Sequence, residues 1–257
     1  QYIILIPGSV NECFEFGWRA LDTAEHFQTP VLVMSDLDLG MNQWMTPAFQ
    51  YPDQPMDRGK ILWEDDLEKL LAERNGDWGR YLDIDGDGIP YRTVAGNRHP
   101  RSAYFTRGTG HDEYGRYNEE GDVWEQGMNR LAKKINGSRE LLPKPVLKKR
   151  DGAKIGIISA GSTDPAIIEA CDLLEADGIP VDYLRLRALP VCQQVLDFIK
   201  DHDCVYVVEM NRDGQLQQIL SLETPEHATR LKKVAHMDGF PLTAQWISSE
   251  IKAQEAK

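Results

Sequence analysis

The sequence predicts an α/β protein whose second half contains a parallel β-sheet. Three short runs rich in β-branched residues, at 154–159, 181–186 and 205–209, are separated by two segments with helical periodicity. Apolar runs of strand length that alternate with amphipathic helices are typical of a parallel sheet with right-handed crossovers. Ligands of such sheets gather at the carboxyl ends of the strands, so the turns that follow these runs are where a site is expected.

Each element of this sheet has its own sequence signal. Strands are expected near 154–160, 181–187, 204–209 and 231–236, and helices near 164–177, 191–201 and 243–254. Asp164 and Pro165 suit the start of the first helix, because an acidic cap and a proline in the first turn satisfy its free amides. Thr243 suits the cap of the last helix in the same way.

The start of the chain repeats this pattern in shortened form. Residues 2–6 are expected to form a strand, 10–27 a helix, and 30–35 a second, buried strand. Strand 31–35 is apolar enough to be central in a parallel sheet. One strand, one helix and one strand cannot bury both faces of such a sheet. The chain also lacks a starting Met, so we expect it to be a piece of a longer protein.

Composition limits the class of partner. The formal net charge of -12 argues against nucleic acid or an anionic membrane as the main partner, since both favour basic surfaces. The sequence contains neither an apolar run near the roughly 20 residues of a membrane span nor a signal-peptide pattern, which favours the cytoplasm. The four cysteines, Cys13, Cys171, Cys192 and Cys204, form no C-x-x-C pair, so buried free thiols are expected rather than a metal cluster.

The middle of the chain, 45–150, differs from both ends in composition and in its lack of regular periodicity. It is rich in Pro, Gly, Asp and Arg, and only 64–74 and 123–136 are expected to be helical. Residues 142–150 resemble an extended linker into the second domain. The many aromatic side chains of this region are too numerous for a solvated linker, so we expect it to pack on a neighbour.

One stretch of the middle imitates a calcium loop. Asp83, Asp85 and Asp87 occupy the first three ligand positions, but Val94 stands where the loop needs a bidentate Glu. These residues have two interpretations. One is a weak metal site, and the other is a turn built by the Asp side chains.

Three further patterns are weighed and set aside. Residues 86–88 with Asn118 imitate the magnesium–diphosphate motif of thiamine enzymes, but the flanking strand and helix are not indicated. The turn at 161–163 could bind an anion, although its single glycine and the acidic Asp164 disfavour a nucleotide. The cluster at 111–113 has no second ligand at metal spacing, which favours a polar surface or interface cluster.

Several stretches, in order along almost the whole chain, carry a family resemblance. They are QTPV at 28–31, SDLDLGMN at 35–42, DGDGIPYRT at 85–93, TGHDEYG at 109–115, GST at 161–163, LRLRALP at 184–190 and VEMNRDGQL at 208–216. The chain resembles the alpha subunit of 2-oxoacid:ferredoxin oxidoreductases, most closely the 2-oxoglutarate type, in its carboxyl-terminal portion. Each stretch is weak alone, and their order makes the resemblance specific.

The resemblance implies a three-part architecture. Residues 1–44 would be the truncated tail of a thiamine-pyrimidine-type parallel-sheet domain, and 45–150 an irregular connecting region with two short helices. Residues 151–257 would form a transketolase C-terminal-like parallel α/β domain.

The resemblance also implies an activity and its participants. The complete enzyme would carry out oxidative, CoA-dependent decarboxylation of a 2-oxoacid, 2-oxoglutarate to succinyl-CoA, on thiamine diphosphate with Mg, and would pass the electrons to ferredoxin. A beta subunit would supply the magnesium–diphosphate motif and an iron–sulfur cluster, and a gamma subunit or fused gamma domain is a further expected partner. The Glu that activates the aminopyrimidine would lie upstream of Gln1. No catalytic residue or metal ligand is therefore assigned, and the chain alone is expected to bind none of these cofactors.

Three residues are candidates for a place near cofactor or substrate. Asp36, Asp38 and Asn42 follow strand 31–35 at its carboxyl end, which in a parallel sheet faces the ligand crevice. The alternative is that Asp36 and Asp38 only cap the following turn. Two other functions stay open for the whole chain: a non-catalytic subunit-interaction module, and a nucleotide-binding α/β enzyme, which the absent glycine fingerprint disfavours.

Overall fold

The computed structural model describes residues 2–256. Contacts divide the chain into two compact units, one made of 21–31 and 52–138, the other of 2–20, 32–51 and 139–256. The strands are β1 Ile3–Leu5, β2 Val31–Val33, β3 Val146–Lys148, β4 Ile155–Ala160, β5 Val181–Leu186, β6 Ala188–Leu189, β7 Cys204–Glu209 and β8 Leu231–Ala235. The helices are α1 Val10–Phe27, α2 Leu37–Met41, α3 Glu64–Glu73, α4 Gly121–Ser138, α5 Asp164–Ala176, α6 Gln193–Asp201, α7 Gln215–Glu223 and α8 Ala244–Glu255.

The larger sheet has the strand order β3-β5-β4-β7-β8. Strand β4 pairs in parallel with both β5 and β7, and β7 pairs in parallel with β8. The predicted parallel sheet is therefore confirmed, together with the helices that connect its strands. The three-part division at 44 and 150 stays a prediction, because the two units group residues by contact and not by ancestry.

Helices cover both faces of this sheet, and the alternation of side chains along each strand explains how. Ile157, Tyr183 and Tyr206 face a core that includes residues of α5 and α8. Their neighbours Ile158 and Leu184 face the opposite core, which includes residues of α6 and α7. Successive side chains of a strand point to opposite faces of the sheet, so the apolar residues of one strand contribute to both cores. This arrangement leaves the strand ends as the place for polar groups.

Two parts of this unit differ from the sequence-based expectation. Residues 146–148, expected in an extended linker, form β3 and pair antiparallel with β5 at the edge of the sheet. Helix α7 was not predicted, although Leu216 and Leu220 are buried at helical spacing. Its N-terminal residue follows Gly214, whose φ of 71° requires a glycine or a strained residue.

The predicted central position of strand 31–35 is wrong. Strand β2 spans 31–33 and lies at the edge of a three-stranded sheet with the order β2-β1-β6. Leu32 and Val33 point to opposite faces and are 50% and 41% exposed, so the strand is not buried either. An apolar run predicts that a strand is buried, but the sequence does not show which element would cover it.

The first unit has little regular structure, as expected. Helices α3 and α4 confirm the two predicted helices, and Leu67, Leu71 and Trp78 form a small core beside α3. Cys171 and Cys192 are buried free thiols, whereas Cys13 and Cys204 are only partly buried, which corrects the expectation for those two. Between residues 2 and 256, no helix is long and apolar enough to cross a membrane.

Candidate functional site

Asp36 joins two turns at the carboxyl ends of strands. Its Oδ1 accepts a hydrogen bond from the Leu39 amide at 2.9 Å, which caps the short helix α2. Its Oδ2 accepts one from the Ser162 amide at 2.8 Å, in the turn that follows β4. The predicted alternative of a capping role thus holds for Asp36. The anion considered for the 161–163 turn is a carboxylate of the protein itself.

Asp38 and Asn42 close the loop in a different way. The Asn42 side-chain amide donates to Asp38 Oδ1, and the Trp44 indole donates to the Asp38 carbonyl at 3.1 Å. Asp38 is half-buried and Asn42 is exposed. Unlike Asp36, Asp38 does not use its carboxylate to cap α2. Its Oδ1 accepts from Asn42, so its other carboxylate oxygen is available to bind a further group.

Two cavities lie beyond the strand ends of the larger sheet. One, of about 350 Å³, lies past β4 and β7 and is lined by Asp36, Glu209 and several apolar side chains. The other, of about 390 Å³, is lined by Asp36, Asp38, Asn42 and the loop after β8. The structure therefore brings all three candidate residues to the edge of the sheet where a ligand was expected, and Asp36 and Met210 line both cavities.

The charge of these cavities is negative. Asp36, Asp38, Asp238 and Glu209 line one or both of them. Among the residues that the structure describes, neither cavity is lined by a lysine or an arginine. A cavity walled by carboxylates favours a cation or a hydrogen-bond donor and repels an anion.

Glu209 was missed in the sequence analysis, and its role is structural. The buried carboxylate accepts hydrogen bonds from the Leu216 amide at 2.7 Å, the Gln217 amide at 3.0 Å and the Asn211 side chain at 2.7 Å. Glu209 thus replaces the missing side-chain cap of α7 and places a negative charge at that helix N-terminus. An acidic residue at the end of an apolar strand, followed by a glycine-containing turn and an amphipathic run, was the available signal.

A buried ionic network supports the turns. Glu12 accepts hydrogen bonds from the Arg185 guanidinium at 2.6 and 3.0 Å and from the Gly8 amide at 2.7 Å, and Arg187 Nε lies 2.9 Å away. Burial alone would raise the pKa of Glu12, but the hydrogen bonds from Arg185 and Gly8 and the two positive charges outweigh it and lower that pKa. Arg185 also lies 3.3 Å from Asp164 at the start of α5.

The calcium-like loop is occupied by an internal cation. Lys60 Nζ lies 2.6 Å from Asp85 Oδ2, 2.8 Å from Asp87 Oδ2 and 3.0 Å from the Ile89 carbonyl. Burial alone would lower the pKa of Lys60, but these two carboxylates raise it. Asp83 instead accepts from the Gly88 amide at 3.0 Å. Within residues 2–256, no group of three or more His, Cys, Asp or Glu side chains is placed to hold a metal ion.

Replacing Lys60 by Met tests this assignment. The variant leaves the carboxylates of Asp85 and Asp87 without their cation, so we expect a loss of about 1–3 kcal/mol in unfolding free energy. Calcium chloride should then raise the melting temperature of the variant and leave that of the original chain unchanged. The control is Lys69→Met, since Lys69 has an exposed pair with Glu73 at 3.9 Å. Equal stability of the two variants would contradict the assignment.

The remaining patterns form turns. His111 Nδ1 lies 2.9 Å from the Thr109 carbonyl, and its ring packs 4.1 Å from that of Tyr81. Asp112 Oδ1 accepts from the amides of Tyr114 and Arg116, each at 2.9 Å. This geometry supports the polar-cluster interpretation of 111–113. Residues 80–84 form no strand, which agrees with rejecting the diphosphate motif at 86–88.

The chain is similar to curated proteins over almost its whole length. It is 28% identical to a 2-oxoacid:ferredoxin oxidoreductase 2, subunit alpha, from Aeropyrum pernix, across 97% of this chain and 38% of the relative. It is 28% identical to the 2-oxoglutarate synthase subunit KorA of Methanothermobacter thermautotrophicus, across 73% of this chain and 46% of the relative. The chain thus spans less than half the length of these relatives. No family model matches it.

A solved structure shows the same fold. It is the 2-oxoglutarate:ferredoxin oxidoreductase from Magnetococcus marinus with 2-oxoglutarate, coenzyme A and succinyl-CoA bound. The TM-score is 0.76 at 24% identity, and the match covers 98% of this chain and 42% of that one. The resemblance read from the sequence is confirmed by the curated 2-oxoacid:ferredoxin oxidoreductase alpha subunits, to which this chain is similar across almost its whole length.

Proposed function

We propose that this chain is part of the alpha subunit of a 2-oxoacid:ferredoxin oxidoreductase. The complete enzyme converts 2-oxoglutarate and CoA to succinyl-CoA with loss of carbon dioxide, and ferredoxin accepts the electrons. The similarity to alpha subunits across 97% of the chain carries this proposal. The shared fold over 98% of the chain is consistent with it.

We expect the cofactors of this reaction to bind the complete complex and not this chain alone. A diphosphate needs cations, and the described residues that line the two cavities at the strand ends include carboxylates but neither lysine nor arginine. Thiamine diphosphate with Mg is therefore placed, in this proposal, mainly on other parts of the enzyme, and the iron–sulfur cluster on a partner subunit. The proposed partners are a beta subunit, a gamma subunit or fused gamma domain, and ferredoxin, in the cytoplasm.

Within this enzyme, the loop that carries Asp36, Asp38 and Asn42 is proposed to lie close to the cofactor. Its position beyond the strand ends supports this, because such edges form the ligand crevices of parallel sheets. The carboxylates would repel those of a 2-oxoacid. Asp38 is therefore expected to act on a positively charged or hydrogen-bond-donating group and not to bind the acid itself.

The substitution Asp38→Ala in the complete enzyme tests this role. We expect 2-oxoacid turnover to fall on the order of ten-fold or more, because a misplaced group near the reacting centre costs rate out of proportion to stability. The control is Asp197→Ala. Asp197 accepts from the side-chain amide of Gln193 at 2.9 Å, four residues away, as Asp38 does from Asn42, and it is exposed to solvent. Unchanged kcat and KM in assembled Asp38→Ala enzyme would leave the loop a structural turn.

A second candidate function is a non-catalytic subunit-interaction module. Large apolar side chains at the same edge favour it, since Leu37, Met41 and Phe240 are 77%, 75% and 75% exposed. Exposed apolar patches of this kind mark surfaces that another protein covers.

A further inference from the structure

Methionines are concentrated in the loops beyond the strand ends. Four of the seven methionines of the chain line one or both of the two cavities at the strand ends, and they are Met34, Met41, Met210 and Met237. The other three are Met45, Met56 and Met128. Met41 and Met237 are 75% and 65% exposed, so they do not serve the core of this chain. We call Met34, Met41, Met210, Met237 and Phe240 the methionine edge.

Carboxylates surround this edge. Asp36, Asp38 and Asp238 line the same cavity as Met41, Met210 and Met237. The hydrogen bond from the Phe240 amide at 2.9 Å, helped by the nearby His236, lowers the pKa of Asp238, so that side chain stays ionised near neutral pH. The edge therefore combines apolar, adaptable side chains with a negative rim.

This combination selects one kind of occupant. Methionine side chains are flexible and polarisable, which suits them to cover the apolar side chains of a partner protein. The negative rim attracts Lys and Arg and repels the anionic head groups of a membrane. A second copy of this chain would place a negative rim against a negative rim, so a symmetric contact is disfavoured.

We propose that the methionine edge is the docking surface for a partner subunit, which inserts an apolar segment flanked by Lys or Arg residues. The partner's identity as a subunit of the same enzyme rests on the proposed function. Its chemistry rests on the edge itself. Docking here would also bring a second protein next to Asp38, and would complete a site that the carboxylate-lined cavities do not complete by themselves.

The first test uses the chain with its methionine methyl groups labelled with ¹³C and observed by NMR. The probe is a short peptide of alternating Lys and Leu, and the matched control is the same peptide with Glu in place of each Lys. We expect the Lys peptide to shift the signals of Met41, Met210 and Met237 and to leave those of Met56 and Met128 in place. Equal shifts from the Glu peptide, or shifts spread over all the methionines, would overturn the proposal.

The second test uses the complex with a co-expressed beta-type subunit. Met237→Lys places a cation in the edge and should weaken association about ten-fold, because a like charge replaces an apolar contact opposite the partner's basic residues. The control is Leu141→Lys, since Leu141 is 66% exposed, close to the 65% of Met237, and lies outside the edge. Equal association of both variants would overturn the docking surface while leaving the enzymatic function intact. If the unsubstituted chain associated normally with the beta-type subunit but the complex turned over no 2-oxoacid, the enzymatic function would be contradicted and the docking surface would stand.

Discussion

Replacing Glu12 by alanine is expected to lower the free energy of unfolding by about 3–5 kcal/mol, because it removes the main counter-charge of the buried Arg185 and the partly buried Arg187. Arg185 and Arg187 both lie within 3.0 Å of the Glu12 carboxylate, and the side chains of Arg185 and Glu12 are 8% and 10% exposed. The change also frees the Gly8 amide from its acceptor. Urea unfolding measures the loss.

The matched control for this substitution is Glu73→Ala. Glu73 has a solvent-exposed pair with Lys69 at 3.9 Å, so its loss should cost less than about 0.5 kcal/mol. The network also predicts a pH dependence. The pKa of Glu12 is below its ordinary value of 4.5, so its stabilisation is present above that pH and is lost as the pH falls further, through the lowered pKa. Similar stabilities for Glu12→Ala and Glu73→Ala would contradict the account of the network.

Replacing Gly161 by alanine should cost about 3 kcal/mol of unfolding free energy and should detach Asp36 from its turn. Gly161 has a φ of 73°, which a residue with a Cβ adopts with strain. An added Cβ would lie only 2.6 Å from Asp36 Oδ2, the atom that accepts from the Ser162 amide. The substitution therefore combines backbone strain with the loss of a charge-assisted hydrogen bond.

Two other glycines separate these effects. Gly152 has a φ of 77° and nothing within 4 Å of an added Cβ, so Gly152→Ala should cost only the strain, about 1 kcal/mol. Gly17 lies in α1 with open space around it, so Gly17→Ala should stabilise the chain by about 0.5–1 kcal/mol. If Gly161→Ala cost no more than Gly152→Ala in urea unfolding, the contact with Asp36 would not stabilise the site.

The parallel sheet was predictable from the sequence because each strand carries its own signal. A buried strand between two helix-covered faces is mainly apolar on both sides, as β4 and β7 are, whereas β5 also buries Asp182 and Arg185. The capping residue Thr243 also acts as expected, since its hydroxyl accepts from the Trp246 amide at 3.2 Å. Local patterns of this kind do not depend on distant parts of the chain.

Features that join distant residues could not be predicted in this way. Lys60 lies 25 residues before Asp85, and Glu12 lies 173 residues before Arg185, so neither ion pair has a local signal. Strand β2 is a second example of a feature that local sequence does not determine. Its apolar residues predicted burial, but burial depends on a covering element that sequence periodicity does not identify. The hydrogen bond between Asp36 and the Ser162 amide likewise joins two turns that are 126 residues apart in the sequence.

The most direct test of the central claim is the formation of succinyl-CoA by an assembled complex that contains this chain. The chain is co-expressed with the further segments that its relatives carry and with a beta-type subunit, and is supplied with 2-oxoglutarate, CoA, thiamine diphosphate, Mg and ferredoxin. We expect succinyl-CoA to form with reduction of ferredoxin, and we expect the chain alone to form none. An assembled complex that formed no acyl-CoA from any 2-oxoacid, or turnover by the lone chain with a redox dye, would contradict this account.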